Sequence, residues 1–95
     1  MSVADALRPR LLDAVAKALA GDWPAAHLVV QDPSETDATA AWIHAVVHRM
    51  EGDLGNARYW YGRAGRAWPS APDPGAEIEA LAQMVAVARD DGGSA

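Results

Sequence analysis

The sequence predicts an all-α protein, a right-handed stack of helical hairpins with about five helices. Three observations predict it. Apolar residues recur at helical spacing, and no stretch alternates apolar and polar residues as a half-buried strand does. A Gly-Asp pair occurs at Gly21-Asp22 and again at Gly52-Asp53, 52 − 21 = 31 residues later. Alanines stand at matching places around each pair: Ala14 and Ala45 seven residues before the glycine, Ala26 and Ala57 four after the aspartate. A period of this length marks stacked hairpins, because one hairpin cannot bury its apolar face alone.

Each element has its own signals. The first helix is expected from near Pro9 to Ala20, with Pro9 in its first turn and Leu12, Val15 and Leu19 on one face. Gly21 ends it. Asp22 caps a second helix, "WPAAHLVVQ", which stops before Asp32-Pro33 because a residue ahead of proline avoids the α region. Ser34 or Thr36 is expected to cap a third helix running to about Glu51, and Gly52 ends it. Asp53 then caps a fourth, "LGNARYWYGRAGRA". The prolines of "WPSAPDPG" break the chain, and Asp73-Pro74 starts a fifth helix with Ile78, Leu81 and Val85 as its apolar stripe. Residues 1–95 thus read as a single domain: a first hairpin over 8–33, a second over 35–69, a capping helix over 74–90 and a disordered tail over 91–95.

Composition narrows the function classes. The apolar fraction is 51%, so the chain can build a core. The net charge is −5 and the arginines are scattered, which argues against nucleic acid because phosphates need a basic stripe. The absence of cysteine excludes disulfides, thiolate metal sites and a cysteine nucleophile. No run approaches the ~20 apolar residues of a membrane helix, and "MSVADALRPR" lacks the apolar core of a signal peptide. The expectation is a soluble, cytoplasmic protein that binds neither nucleic acid nor membrane.

The second hairpin resembles a tetratricopeptide repeat. Ala45, Ala57 and Ala64 stand at the small positions, Tyr61 at the aromatic position and Pro69 at the terminal proline. The first unit matches with Gly21-Asp22, Ala14 and Ala26, but carries Val30 in place of the aromatic. Small contact residues let antiparallel helices approach to about 8–10 Å.

The candidate site is a set of polar stripes. His44 and His48 are one turn apart, and Glu51 extends their stripe. His27 and Gln31 form a similar pair one hairpin earlier. Asn56, Trp60 and Arg63 share a face of the fourth helix, with Tyr59 beside it. Three readings compete. The stripes can line a pocket for a small polar or anionic ligand, or a peptide end, with His27, His44, His48, Arg49, Asn56 and Arg63 as donors and Tyr59 or Trp60 as wall. The histidines can instead be hydrogen-bonded hairpin contacts. As a lesser alternative, His44 and His48 can hold a divalent metal with His27 or Glu51, although a zinc protease would need a glutamate where Ala45 stands. Arg49 can pair with Glu51 or Asp53. Asp22 and Asp53 read as caps, and no nucleophile elbow or phosphate loop is present.

These residues also carry a second resemblance. His27 and Gln31, then His44, His48, Arg49, Glu51, Gly52, Asp53, Asn56, Ala57, Tyr59 and Trp60 are similar to the signature of a group of small uncharacterised proteins, bacterial with fungal relatives. Gly62 departs from it, since a basic residue is expected there. The resemblance implies no activity. It implies a polar content richer than repeat packing requires, which favours the pocket. The reading is therefore a helical-repeat binding module for a small polar ligand, peptide or protein partner, with no cofactor and no metal expected. The alternatives are a small histidine-dependent or metal-dependent hydrolase or isomerase, and a structural adaptor, with a homodimer as one expected assembly.

Overall fold

The computed structural model describes residues 6–69 and 73–87. The described residues form helices α1 (Arg8–Leu19), α2 (Trp23–Gln31), a single 3-10 turn (Pro33–Glu35), α3 (Ala38–Glu51), α4 (Leu54–Arg63) and α5 (Pro74–Val87), with no strand among them. Residues 88–90 of the expected capping helix and the expected tail, 91–95, lie outside the described residues.

The two Gly-Asp pairs make the same corner twice. Gly21 and Gly52 sit at φ of 83° and 84°, a left-handed conformation that costs a glycine little and any other residue about 1 kcal/mol or more. The Asp22 amide donates to the Lys17 carbonyl at 2.9 Å, and the Asp53 amide donates to the His48 carbonyl at 2.9 Å. These bonds satisfy carbonyls that the helix end would orphan. The same two aspartates then start the next helix. The Asp22 carboxylate accepts from the Ala25 amide and the Asp53 carboxylate from the Asn56 amide, each at 3.4 Å. A single residue therefore closes one helix and opens the next, which leaves little freedom in how the hairpin folds back.

Helices α1 and α2 pack on each other as one hairpin, α3 and α4 as the other, and α2 lies against α3. Ala14, Ala26, Ala45 and Ala57 are fully buried, and Ala64 packs half-buried beside them. Absent side-chain bulk is what permits this close approach. The buried stripe of α1 is Leu11, Ala14, Val15 and Ala18. It is rotated from the expected one: Leu12 is half-buried and Leu19 is exposed. The buried side pairs Leu11 and Val15 with two alanines, and it is this side that meets α2 and α5.

Helix α3 is the centre of the molecule, with buried residues on every side of its middle turns. Its cap is Asp37, whose carboxylate accepts from the Ala40 amide at 2.8 Å. The expected caps, Ser34 and Thr36, do not fill that role, because the 3-10 turn uses one more stretch of chain before the helix begins. Helix α5 buries Ile78, Leu81 and Val85 and lies across both α1 and α3. An open repeat array contacts only its nearest neighbour. Here the last helix returns to the first and closes the core.

The two kinds of glycine should respond in opposite ways. Gly52→Ala should lower stability by about 1 kcal/mol, since no atom blocks a Cβ and the cost is conformational. Gly62→Ala, in helical backbone with open space around it, should raise stability by about 0.5–1 kcal/mol. Urea unfolding of the two variants checks both signs.

Candidate functional site

The adjacency of α2 and α3 brings all three histidines together. His44 lies flat between two rings: Trp60 stacks on one face at 4.1 Å and 17°, and His48 on the other at 4.9 Å and 19°. His27 meets both histidines edge-on, at 4.5 Å from His44 and 5.0 Å from His48. His44 is 2% exposed and His48 8%. His27 and His48 open to a common cleft of about 420 Å³, shared with Pro24, Leu28 and Glu51, while His44 is buried and does not line it.

The hydrogen bonds assign the ring hydrogens. The Ser34 hydroxyl donates to the Gln31 backbone carbonyl at 2.9 Å, and a carbonyl can only accept. Ser34 has spent its one hydrogen, so the 2.9 Å contact between Ser34 Oγ and His44 Nδ1 must be a bond that His44 donates. Burial, and then the charge of the neighbouring imidazoles His27 and His48, push His44 down to about 3. His44 is thus a neutral Nδ1–H tautomer, with a lone pair on Nε2. The 2.9 Å contact between the Nε2 atoms of His44 and His27 is therefore donated by His27. A directed chain runs from His27 through His44 and Ser34 to the Gln31 carbonyl.

His48 is held differently. Its Nδ1 lies 3.2 Å from Glu51 Oε1 without the alignment of a hydrogen bond, and 3.7 Å from Asp53 Oδ2, beyond hydrogen-bond reach. Burial and the adjacent His27 lower its proton affinity, with the two carboxylates pulling the other way. The Asp53 carboxyl is itself held below its ordinary value by the hydrogen bond from the Asn56 side chain, at 2.7 Å.

Several expected site residues lie elsewhere. Arg49 does not pair with Glu51 or Asp53. Its Nη1 donates to Glu77 Oε1 on α5 at 2.7 Å and to the Tyr61 hydroxyl at 3.3 Å. Tyr61 donates to the same Glu77 oxygen at 2.6 Å, and Trp42 Nε1 donates to Oε2 at 2.8 Å. Burial and the hydrogen bond to Glu77 push the Tyr61 phenol up. Arg63 donates to the Tyr59 hydroxyl and to the Glu35 carbonyl, on the rim of the molecule. Asn56 serves the corner at Asp53, and the Gln31 side chain is exposed. Trp60 contributes by stacking on His44, while Tyr59 is half in solvent and meets Trp60 edge-on. Trp68 packs on Tyr61 and Arg58 and clamps the loop that follows α4.

Two important residues went unread in the sequence. Ser34 is read there as a helix cap but is 2% exposed and part of the histidine chain. Its separation of ten residues from His44 carries no helical periodicity. Glu77 gives only the sign of an acidic first turn in α5.

Comparison with known proteins finds no matching family model, no matching curated protein and no matching solved structure. No helix among the described residues is long and apolar enough to cross a membrane.

Two measurements follow from these contacts. His44 holds a proton at pH below 6.5 when unfolded but only near 3 when folded. Stability should therefore be complete above pH 6.5 and fall as pH drops toward 3, by at most roughly 1.4 kcal/mol per pH unit for this one residue. His44→Gln should flatten that slope in unfolding measured across pH. Glu77→Ala should cost about 3 kcal/mol, because it removes the carboxylate from Arg49, Tyr61 and Trp42 together.

Proposed function

We propose that the protein is a non-catalytic binding module that takes a small cation or hydrogen-bond donor at the cleft of His27, His48 and Glu51. One observation carries this reading: among the residues that line the cleft, the charged one is a carboxylate, Glu51, and none is an arginine or lysine. Glu51 lines it, and Asp53 stands 3.7 Å from His48. The two arginines that would suit an anion are committed to other partners, Arg49 to Glu77 and Arg63 to Glu35 and Tyr59. Of the small polar or anionic ligand or peptide end expected from the sequence, this reading takes the polar, cationic form. A peptide can present such a group as a lysine or an N-terminal amine.

The chemistry of Ser34 argues against a hydrolase at this centre. A nucleophilic serine passes its proton to histidine. Here the serine hydrogen goes to the Gln31 carbonyl, and His44 donates to the serine oxygen. The oxygen is also buried. Ring-nitrogen NMR during titration with small amines, guanidines and matched carboxylates tests the proposal. Cations should shift His27 and His48, and Glu51→Gln should weaken that binding about tenfold or more. Response to carboxylates alone would contradict it.

A further inference from the structure

We infer that the ligand of the cleft is a divalent transition-metal ion, held by one ring nitrogen each from His27, His44 and His48. The inference rests on the cleft being the binding site and names its ligand.

The donor set is the first argument. One nitrogen from each of the three rings lies within 4.8 Å of the other two. Two imidazoles on a tetrahedral ion such as zinc, with bonds near 2.0–2.1 Å, stand about 3.4 Å apart. His27 and His44 are already at 2.9 Å, so modest rotation of the rings makes room for an ion. Imidazole donors select zinc, copper, nickel or cobalt over magnesium and calcium, which prefer oxygen.

The surroundings of the rings are the second argument. A ligating histidine usually donates its other ring N–H to an oxygen, which fixes the ring and its tautomer. His44 does so through Nδ1 to Ser34, which leaves Nε2 as a lone pair aimed at His27. His48 turns its Nδ1 toward the Glu51 carboxylate at 3.2 Å without completing a hydrogen bond in this arrangement. A metal on the opposite nitrogen of His48 would place the ring hydrogen on Nδ1 and make that bond worthwhile. The stacking of Trp60 and His48 on His44 holds the central ring in place before any ion arrives.

On binding, the three ring nitrogens, now within 4.8 Å of one another, adjust to separations of about 3.4 Å. The hydrogen that His27 now places between the two Nε2 atoms is replaced by the metal and carried on His27 Nδ1 instead. The cleft supplies the remaining coordination position to water or Glu51.

Co²⁺ is the probe, added to chelator-treated full-length protein with visible absorption as the readout. The expected result is saturation at one ion per chain with the intense bands of a tetrahedral site. His27→Ala, at a half-buried position that need not disturb the core, should abolish the bands while far-UV circular dichroism stays unchanged. Glu51→Gln should keep them but weaken binding roughly 10–100-fold. Absence of tetrahedral bands overturns the inference, as does binding that survives His27→Ala. If Co²⁺ fails while an organic amine still shifts His27 and His48, the metal is excluded and the cation cleft stands. If neither binds, both fall.

Discussion

An aspartate that ends one helix with its amide and begins the next with its carboxylate fixes the path of both hairpins. At Asp22 and Asp53 these two duties fall on a single residue, directly after a glycine at φ near +84°. Turn and cap cannot then vary independently, and the angle between the helices is largely set before any side chain packs. The alanines finish the task. With Ala14, Ala26, Ala45 and Ala57 fully buried, the helices come close enough that backbone atoms and methyl groups form the contact surface. Larger residues fill the space further out, and α5 seals it with Ile78, Leu81 and Val85.

The histidine cluster is a consequence of that frame. The corners fold each hairpin, and the hairpins stack with α2 against α3, so His27 on one faces His44 and His48 on the other. Burying three imidazoles is costly unless their nitrogens are satisfied. His44 meets the requirement at both nitrogens, through Ser34 and His27. His48 meets it incompletely, and it borders the cleft together with His27. The cluster therefore has a finished, rigid back and an unfinished front. A structural plug would have little reason to keep that difference.

A second polar system serves stability instead. Glu77 receives Arg49, Tyr61 and Trp42 at short range and so ties α5 to α3 and α4. The sequence made the helices and corners legible, because glycine, aspartate and proline act locally and the 31-residue offset repeats the pattern. It also exposed the His27, His44 and His48 stripes, since spacing along a helix determines which face a residue takes. The partners across space were not legible. Arg49 has two carboxylates close in sequence, Glu51 and Asp53, yet it reaches for a third, Glu77, 28 residues away, because its helix face turns toward α5. Ser34 looked like a cap because it stands just before a helix, whereas a 3-10 turn carries it inward to His44. On α1 the expected Val15 is buried, but Leu11 rather than Leu12 packs with it, beside Ala14 and Ala18.

The account is tested most directly at the ring nitrogens of His44. Long-range ¹H–¹⁵N NMR of uniformly labelled protein reports which nitrogen bears hydrogen. The expected result is a protonated Nδ1 and an unprotonated Nε2 that keep their shifts from about pH 7 to about pH 5, where an ordinary histidine gains its second proton. A His44 that titrates near 6.5, or carries its hydrogen on Nε2, would mean that the chain from His27 to Gln31 does not exist as drawn.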